Sequence, residues 1–386
     1  MLEEYLLDIG YNDKQIKSIK SNFLFRQISE DSILFTFKSL YQYLHKNGFT
    51  DEDIINVTIN NQNVFNMSLE NIKTKLSDIA KLGFKKNLVF TMLKNHPLIL
   101  DISIKIIASR IDHLKKLGFS LEEIAINSSL LSYTIPSIDK YFDNLLKVGY
   151  STQEVITLVT NDSEFFEEKE SFFNKKYLDY KKQGMSKKLF LALTSKYPLL
   201  LRDENILYNK FNLLLEKNFL IEDIIYLLEK VDLLLDDNYQ SNLDICFDLF
   251  ENYQFNTDEF KTIIMKNPYI LLYPSSFIEE KINIFRKYNY SLDDIKTIFL
   301  NQPIIIGFSL NNLDEKLDFY KKKGLNKSII NNYGLTFDIS FILKRYSFLK
   351  ENNYLLEDVG LSEDAFKNKY LSTWELLKED LNEFIN

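Results

Sequence analysis

Leu117-Gly118-Phe119-Ser120-Leu121-Glu122-Glu123-Ile124 places the end of one helix and the start of another within eight residues. A glycine tolerates the left-handed conformation that closes a helix, and a serine two positions later offers its side-chain oxygen to cap the next one. Carboxylates follow at the positive end of the new helix dipole, and Ile124 opens a buried face. The same order recurs along the chain. Gly10-Tyr11, Gly48-Phe49, Gly83-Phe84, Gly149-Tyr150, Gly184-Met185 and Gly324-Leu325 repeat the anchor, and Asn218-Phe219, Gln254-Phe255, Asn289-Tyr290 and Asn353-Tyr354 occupy the remaining slots. Successive anchors lie 38, 35, 35, 31, 35, 34, 36, 35, 35 and 29 residues apart. Asparagine also tolerates the left-handed region, so the period survives where glycine is lost.

Proline checks the period independently. Pro97, Pro198, Pro268 and Pro303 each stand 14 residues after an anchor and open a short apolar run, while Gln62 and Asp232 fill the slot in two other repeats. The Gly118 and Gly149 repeats are degenerate there, reading Ser129-Leu130-Leu131 and Ser163-Glu164-Phe165-Phe166. Thr50, Ser120, Ser151, Ser186, Asn256, Ser291 and Asn326 sit at the N-cap position, and a first helix of about ten residues ends before the proline. A second helix returns to the next anchor with its apolar stripe at seven and four residues before it, as in Ile111 and Leu114. A helical pair of about 35 residues cannot bury both apolar faces alone, so the pairs must stack. The reading is all-α: a right- or left-handed α-solenoid of about eleven repeats. Residues 1–47 form an N-terminal degenerate repeat, 48–325 the regular array, and 326–386 a last degenerate repeat and cap containing Trp374.

Composition narrows the function. The 386 residues include one cysteine, Cys246, and three histidines, His45, His96 and His113, so no disulfide framework and no cluster of zinc-ligand spacing is expected. No apolar run approaches the roughly 20 residues that a bilayer requires. There is no glycine-rich phosphate loop and no convergent set of nucleophile, base and oxyanion donor, so no enzyme, no cofactor and no metal is expected. The 47 basic and 55 acidic residues give a net charge of −8. Met1-Leu2-Glu3-Glu4-Tyr5 is acidic at once and has no basic leader, so a cytoplasmic monomer is expected, with an organelle as the alternative if a transit peptide is missing from this chain.

Leu117–Ile124 and Tyr290-Ser291-Leu292-Asp293-Asp294-Ile295 running on to Asn301-Gln302-Pro303-Ile304-Ile305 resemble the repeat of the mitochondrial transcription termination factor (mTERF) family. Ser309, Lys316 and Leu317 continue the pattern to Gly324, and the resemblance covers roughly residues 40–330. It implies a left-handed superhelix that holds nucleic acid in a basic concave groove, without catalysis.

A groove of that kind needs charges at fixed phase, and two phases carry them. Eight residues before an anchor stand Lys75, Arg110, Lys176, Lys210, Lys281 and Lys316, in mid-helix, where no dipole accounts for a cation. These six are the expected phosphate contacts to double-stranded DNA or RNA. Two residues before the anchor stand Lys46, Lys81, Lys116, Lys147, Lys182, Lys287 and Lys322, in the last helical turn, where cations satisfy free carbonyls. Only five arginines occur, which favours contact with the backbone over the reading of bases. A protein-interaction scaffold without nucleic acid is the alternative, favoured by the acidic net charge.

Overall fold

A computed structural model describes residues 2–21, 28–203, 205–325, 329–330 and 332–370. Every regular element among them is a helix. The repeat is plainest from Gly83 onward: Lys86–Asn95, the 3₁₀ turn Pro97–Leu100 and Ile104–Lys116 lead to Gly118, and Leu121–Ile126, Ser128–Ser132 and Ile135–Val148 lead to Gly149. Near the other end, Leu292–Asn301, Pro303–Gly307 and Leu310–Lys322 lead to Gly324. The caps read from the sequence form. Ser120, Ser151 and Ser291 make reciprocal capping boxes with Glu123, Glu154 and Asp294, and Thr50 and Asn256 do the same with Asp53 and Glu259. Asn326 and Trp374 lie outside the described residues.

All eleven anchors adopt positive φ. The glycines from Gly10 to Gly184 span 84° to 116°, whereas Asn218, Gln254, Asn289 and Asn353 take 54° to 64°, close to the left-handed helical minimum that a side chain tolerates. Gln254 follows the asparagines there at 63° although its amide is too long for their local backbone hydrogen bond. Glycine is therefore replaced where the turn is least extreme. Gly149 is also crowded, since a Cβ there would lie 3.4 Å from Leu191 Cδ1 and 3.5 Å from Lys187 Cε of the next repeat.

The chain divides into two compact units, unit 1 being residues 1–182 and 186–204 and unit 2 residues 183–185 and 205–386. Within each, first helices pack on first helices and second helices on second helices. Thr152–Asn161 lies against Lys187–Lys196 in unit 1, and Ser275–Lys287 against Leu310–Lys322 in unit 2. The aromatic residue after the anchor is buried at Phe49, Phe119, Tyr150, Phe219 and Phe255, so these rings are core and not stacking platforms, whereas Tyr354 after the last anchor is exposed. Polar ties reinforce the stacking. Asn61 Nδ2 donates to the Pro97 carbonyl (3.0 Å), Asn161 to Ser195 (3.1 Å) and Asn267 to Pro303 (3.3 Å), each from the end of a first helix into the following repeat. One irregularity falls in the Gly184 repeat, whose turn is the short α-helical Leu199–Arg202 and whose second helix is split at Phe211 into Ile206–Lys210 and Asn212–Glu216.

Candidate nucleic-acid interface

The mid-helix cations do not form one exposed row. Lys316 is 2% exposed, and its Nζ donates to the Leu335 carbonyl at 2.9 Å, inside the turn Gly334–Thr336. Lys75 Nζ donates to the Ile102 carbonyl just past Pro97–Leu100, and Arg110 Nη1 to the Leu131 carbonyl of Ser128–Ser132. Burial holds all three below their usual pKa. A 3₁₀ turn leaves its last carbonyls without N–H partners, and a cation beneath it supplies the strongest available donor. Lys281 is 1% exposed and reaches no acceptor among the described residues; its Nζ sits 3.7 Å from the centroid of Phe277.

Sequence reading missed a further member of this set. Arg345 stands eight residues before Asn353, is fully buried, and donates from Nη1 to the Leu361 carbonyl at 2.6 Å. Its guanidinium lies 4.2 to 4.6 Å from the rings of Phe337, Phe341 and Phe366, and burial pulls its pKa down to about 10. The signal is in the sequence, since Asn353 is an anchor like the others. Cys246 holds the same phase before Gln254 and is buried as well, its thiol pushed up to about 12 and therefore inert at neutral pH.

The expectation that all six residues face a phosphate is thus corrected at Lys281 and Lys316, which are interior, and at Lys75 and Arg110, which are committed to carbonyls. Lys176 and Lys210 remain half-exposed. Lys176 borders a groove with Phe165, Phe172 and Arg202, and Arg202 pairs with Asp162 (2.5 Å) and Glu164 (2.7 Å). Lys210 borders a groove whose other charged walls are Glu216, Asp244 and Asp248.

The second row behaves differently. Lys46, Lys81, Lys116, Lys147 and Lys182 are all exposed at the ends of second helices in unit 1. Lys81 and Lys182 make exposed pairs with Asp78 (2.8 Å) and Asp179 (3.1 Å), of a kind that binds a lysine weakly, and Lys46, Lys116 and Lys147 have no ion pair among the described residues. Lys85, Lys86, Lys187 and Lys188, also exposed, open the adjoining first helices, and Lys187 lies against Gly149, two residues from Lys147. The row is not free of acid, for Asp112 and Asp143 stand four residues upstream of Lys116 and Lys147. In unit 2 the same position reads Glu216, Asn252, Lys287, Lys322 and Glu351, and its two lysines are paired with Asp314 (2.7 Å) and Asp318 (2.6 Å).

Among the described residues no group of three or more His, Cys, Asp or Glu side chains is placed to hold a metal, and no helix is long and apolar enough to cross a membrane. The mTERF family model matches residues 4–128 and 136–367, taking in most of both units. No curated protein matches the chain.

Proposed function

The chain belongs to the mTERF family of helical-repeat proteins, and from that premise we propose that it binds nucleic acid through unit 1, by phosphate contacts along the lysines two residues before each anchor. The observation that carries this reading is the unbroken run of five exposed lysines at one structural position. Charge supports it. Unit 1 holds 27 basic against 26 acidic residues and unit 2 holds 20 against 29, so the whole negative balance of the chain lies in unit 2. Within unit 1, residues 73–116 alone carry ten basic and three acidic side chains. Lysines at helix ends act as point charges toward a backbone and carry little base readout, so binding is expected to depend on salt more than on sequence. Lys176 adds a half-exposed cation to the same unit.

A gel-shift titration with duplex DNA, duplex RNA and single-stranded RNA across a salt series tests this. Five contacts to duplex DNA predict a log–log slope of about −4.5. Retardation absent at low salt, or unchanged when the five lysines become glutamine, would falsify the reading. Retardation lost only when Lys75, Arg110, Lys281 and Lys316 are replaced in a protein that keeps its fold would return the contacts to the mid-helix phase.

A further inference from the structure

Three lysines reach back from one repeat to the helix start of the repeat before it. Lys261 Nζ donates to Asp223 Oδ2 (2.5 Å) and to the Asn218 carbonyl (3.1 Å), and Lys94 Nζ to Asp53 Oδ2 (2.6 Å) and the Gly48 carbonyl (3.4 Å). Lys296 Nζ lies 3.5 Å from Glu259 Oε2. Each ammonium also sits over the ring that follows the earlier anchor, Phe219 at 5.1 Å, Phe49 at 4.7 Å and Phe255 at 5.5 Å. The carboxylate oxygen is shared in every case. Asp223 Oδ2 accepts the Leu220 N–H (2.8 Å), Asp53 Oδ2 that of Thr50 (2.9 Å) and Glu259 Oε2 that of Asn256 (2.8 Å), so one oxygen both caps a first helix and holds the next repeat.

Other repeats fill this place with an aliphatic side chain. Lys261 and Lys296 stand seven residues after their anchors, where Ile55, Ile156 and Leu191 stand in unit 1. Those three approach to 3.8, 3.3 and 3.4 Å of where a Cβ would lie on Gly10, Gly118 and Gly149, so each packs on the bare face of a glycine. Asn218 and Gln254 carry a Cβ on that face, and there the aliphatic is replaced by a lysine, whose flexible stem passes the anchor to reach oxygen. Lys94 makes the same latch from one turn later in its helix, at Gly48, which has open space above it. Glu123 and Glu154 cap their helices in the same way, yet among the described residues neither pairs with a lysine of the next repeat. The two kinds of joint open differently. Parting Gly118 from Ile156 returns a buried aliphatic to water, whereas parting Asp223 from Lys261 returns two charges that water solvates well.

We propose that the latched joints at Gly48, Asn218 and Gln254 are hinges within the two units, and that Lys261 and Lys296 hold repeats together where glycine has been lost. None of these lysines belongs to the exposed row, so the hinges stand or fall independently of nucleic-acid binding. Hydrogen–deuterium exchange on the full chain tests them. In Lys261→Met the amides of Ile221–Lys230 exchange about fivefold faster, while those of Thr152–Asn161 keep their rate and show that the chain stays folded. Asp223→Asn, which retains an oxygen for the Leu220 N–H, gives the same acceleration. Lys261→Ile alone is as fast as Lys261→Met, because the Asn218 side chain denies the isoleucine its place. Combined with Asn218→Gly, the isoleucine restores slow exchange. Wild-type rates in both Lys261→Met and Asp223→Asn overturn the proposal. So does a double variant no slower than Lys261→Ile alone, since the latch would then have nothing to do with the missing glycine.

Discussion

Two residues before the anchor, unit 1 carries lysine five times in succession, two of them in exposed pairs with aspartate, whereas unit 2 carries two lysines, both in exposed pairs with aspartate, and glutamate or asparagine elsewhere. At the second position of the turn the units differ less, with Leu233, Tyr269 and Ile304 exposed beside Glu357 in unit 2, and Leu98 and Leu199 exposed beside Asn63, Ser129 and Glu164 in unit 1. One helical pair supports both surfaces because neither position takes part in closing the core. The repeat constrains the anchor, the caps and the two apolar stripes, and leaves solvent-facing positions to diverge. That is why family membership establishes the architecture here while the surfaces must be read residue by residue.

The contrast breaks first at the lysine row. Changing Lys46, Lys81, Lys116, Lys147 and Lys182 to glutamine is expected to weaken duplex binding at low salt by a hundredfold or more and to flatten the salt slope, whereas changing Lys287 and Lys322 leaves it within about twofold. If both variants lose binding equally, the division of labour between the units is wrong. Next in size is the buried cation set. Lys316→Met removes a charge-assisted hydrogen bond and orphans the Leu335 carbonyl, at a cost of about 2 kcal/mol in urea unfolding. Lys281→Met gives up only a ring contact and removes a buried ammonium, so it is expected to be neutral or mildly stabilising.

The pH dependence has the same sign for both residues, since burial lowers the pKa of each. Burial depresses the pKa of Lys281 in the folded state, so the unfolded chain binds the proton more tightly and stability rises with pH between the folded value and about 10.5. Lys281→Met should reduce the alkaline rise, to which Lys75 and Lys316 also contribute, and urea titrations at several pH values would reveal the difference. A smaller effect distinguishes the anchors. Gly149→Ala is expected to cost about 1–2 kcal/mol because φ is 116° and Leu191 stands 3.4 Å from the new methyl, while Gly324→Asn, at φ 69° with open space around it, should change stability by under about 0.5 kcal/mol. Similar losses at both would mean that crowding by the neighbouring repeat contributes nothing.

Much of the fold could be read in advance because its determinants are local. A cap needs a particular side chain at one position, a helix end needs a residue that accepts positive φ, and a proline interrupts a helix wherever it stands. Partners are a different matter. Lys75 and Lys116 recur with equal regularity, and nothing in their spacing tells that one turns beneath a 3₁₀ turn of the next repeat while the other meets water. The asparagine ties at Asn61, Asn161 and Asn267 are hidden for the same reason, since their acceptors are carbonyls 34 to 36 residues away and carbonyls leave no mark in a sequence.

By itself, then, the amino-acid order determined the period, the helical pair, the left-handed anchors and the family. Tertiary structure alone decided which of two lysine phases is interior and which turn residues stay exposed. Both outcomes depend on where the following repeat comes to rest, and that is settled by packing between elements that no single repeat contains.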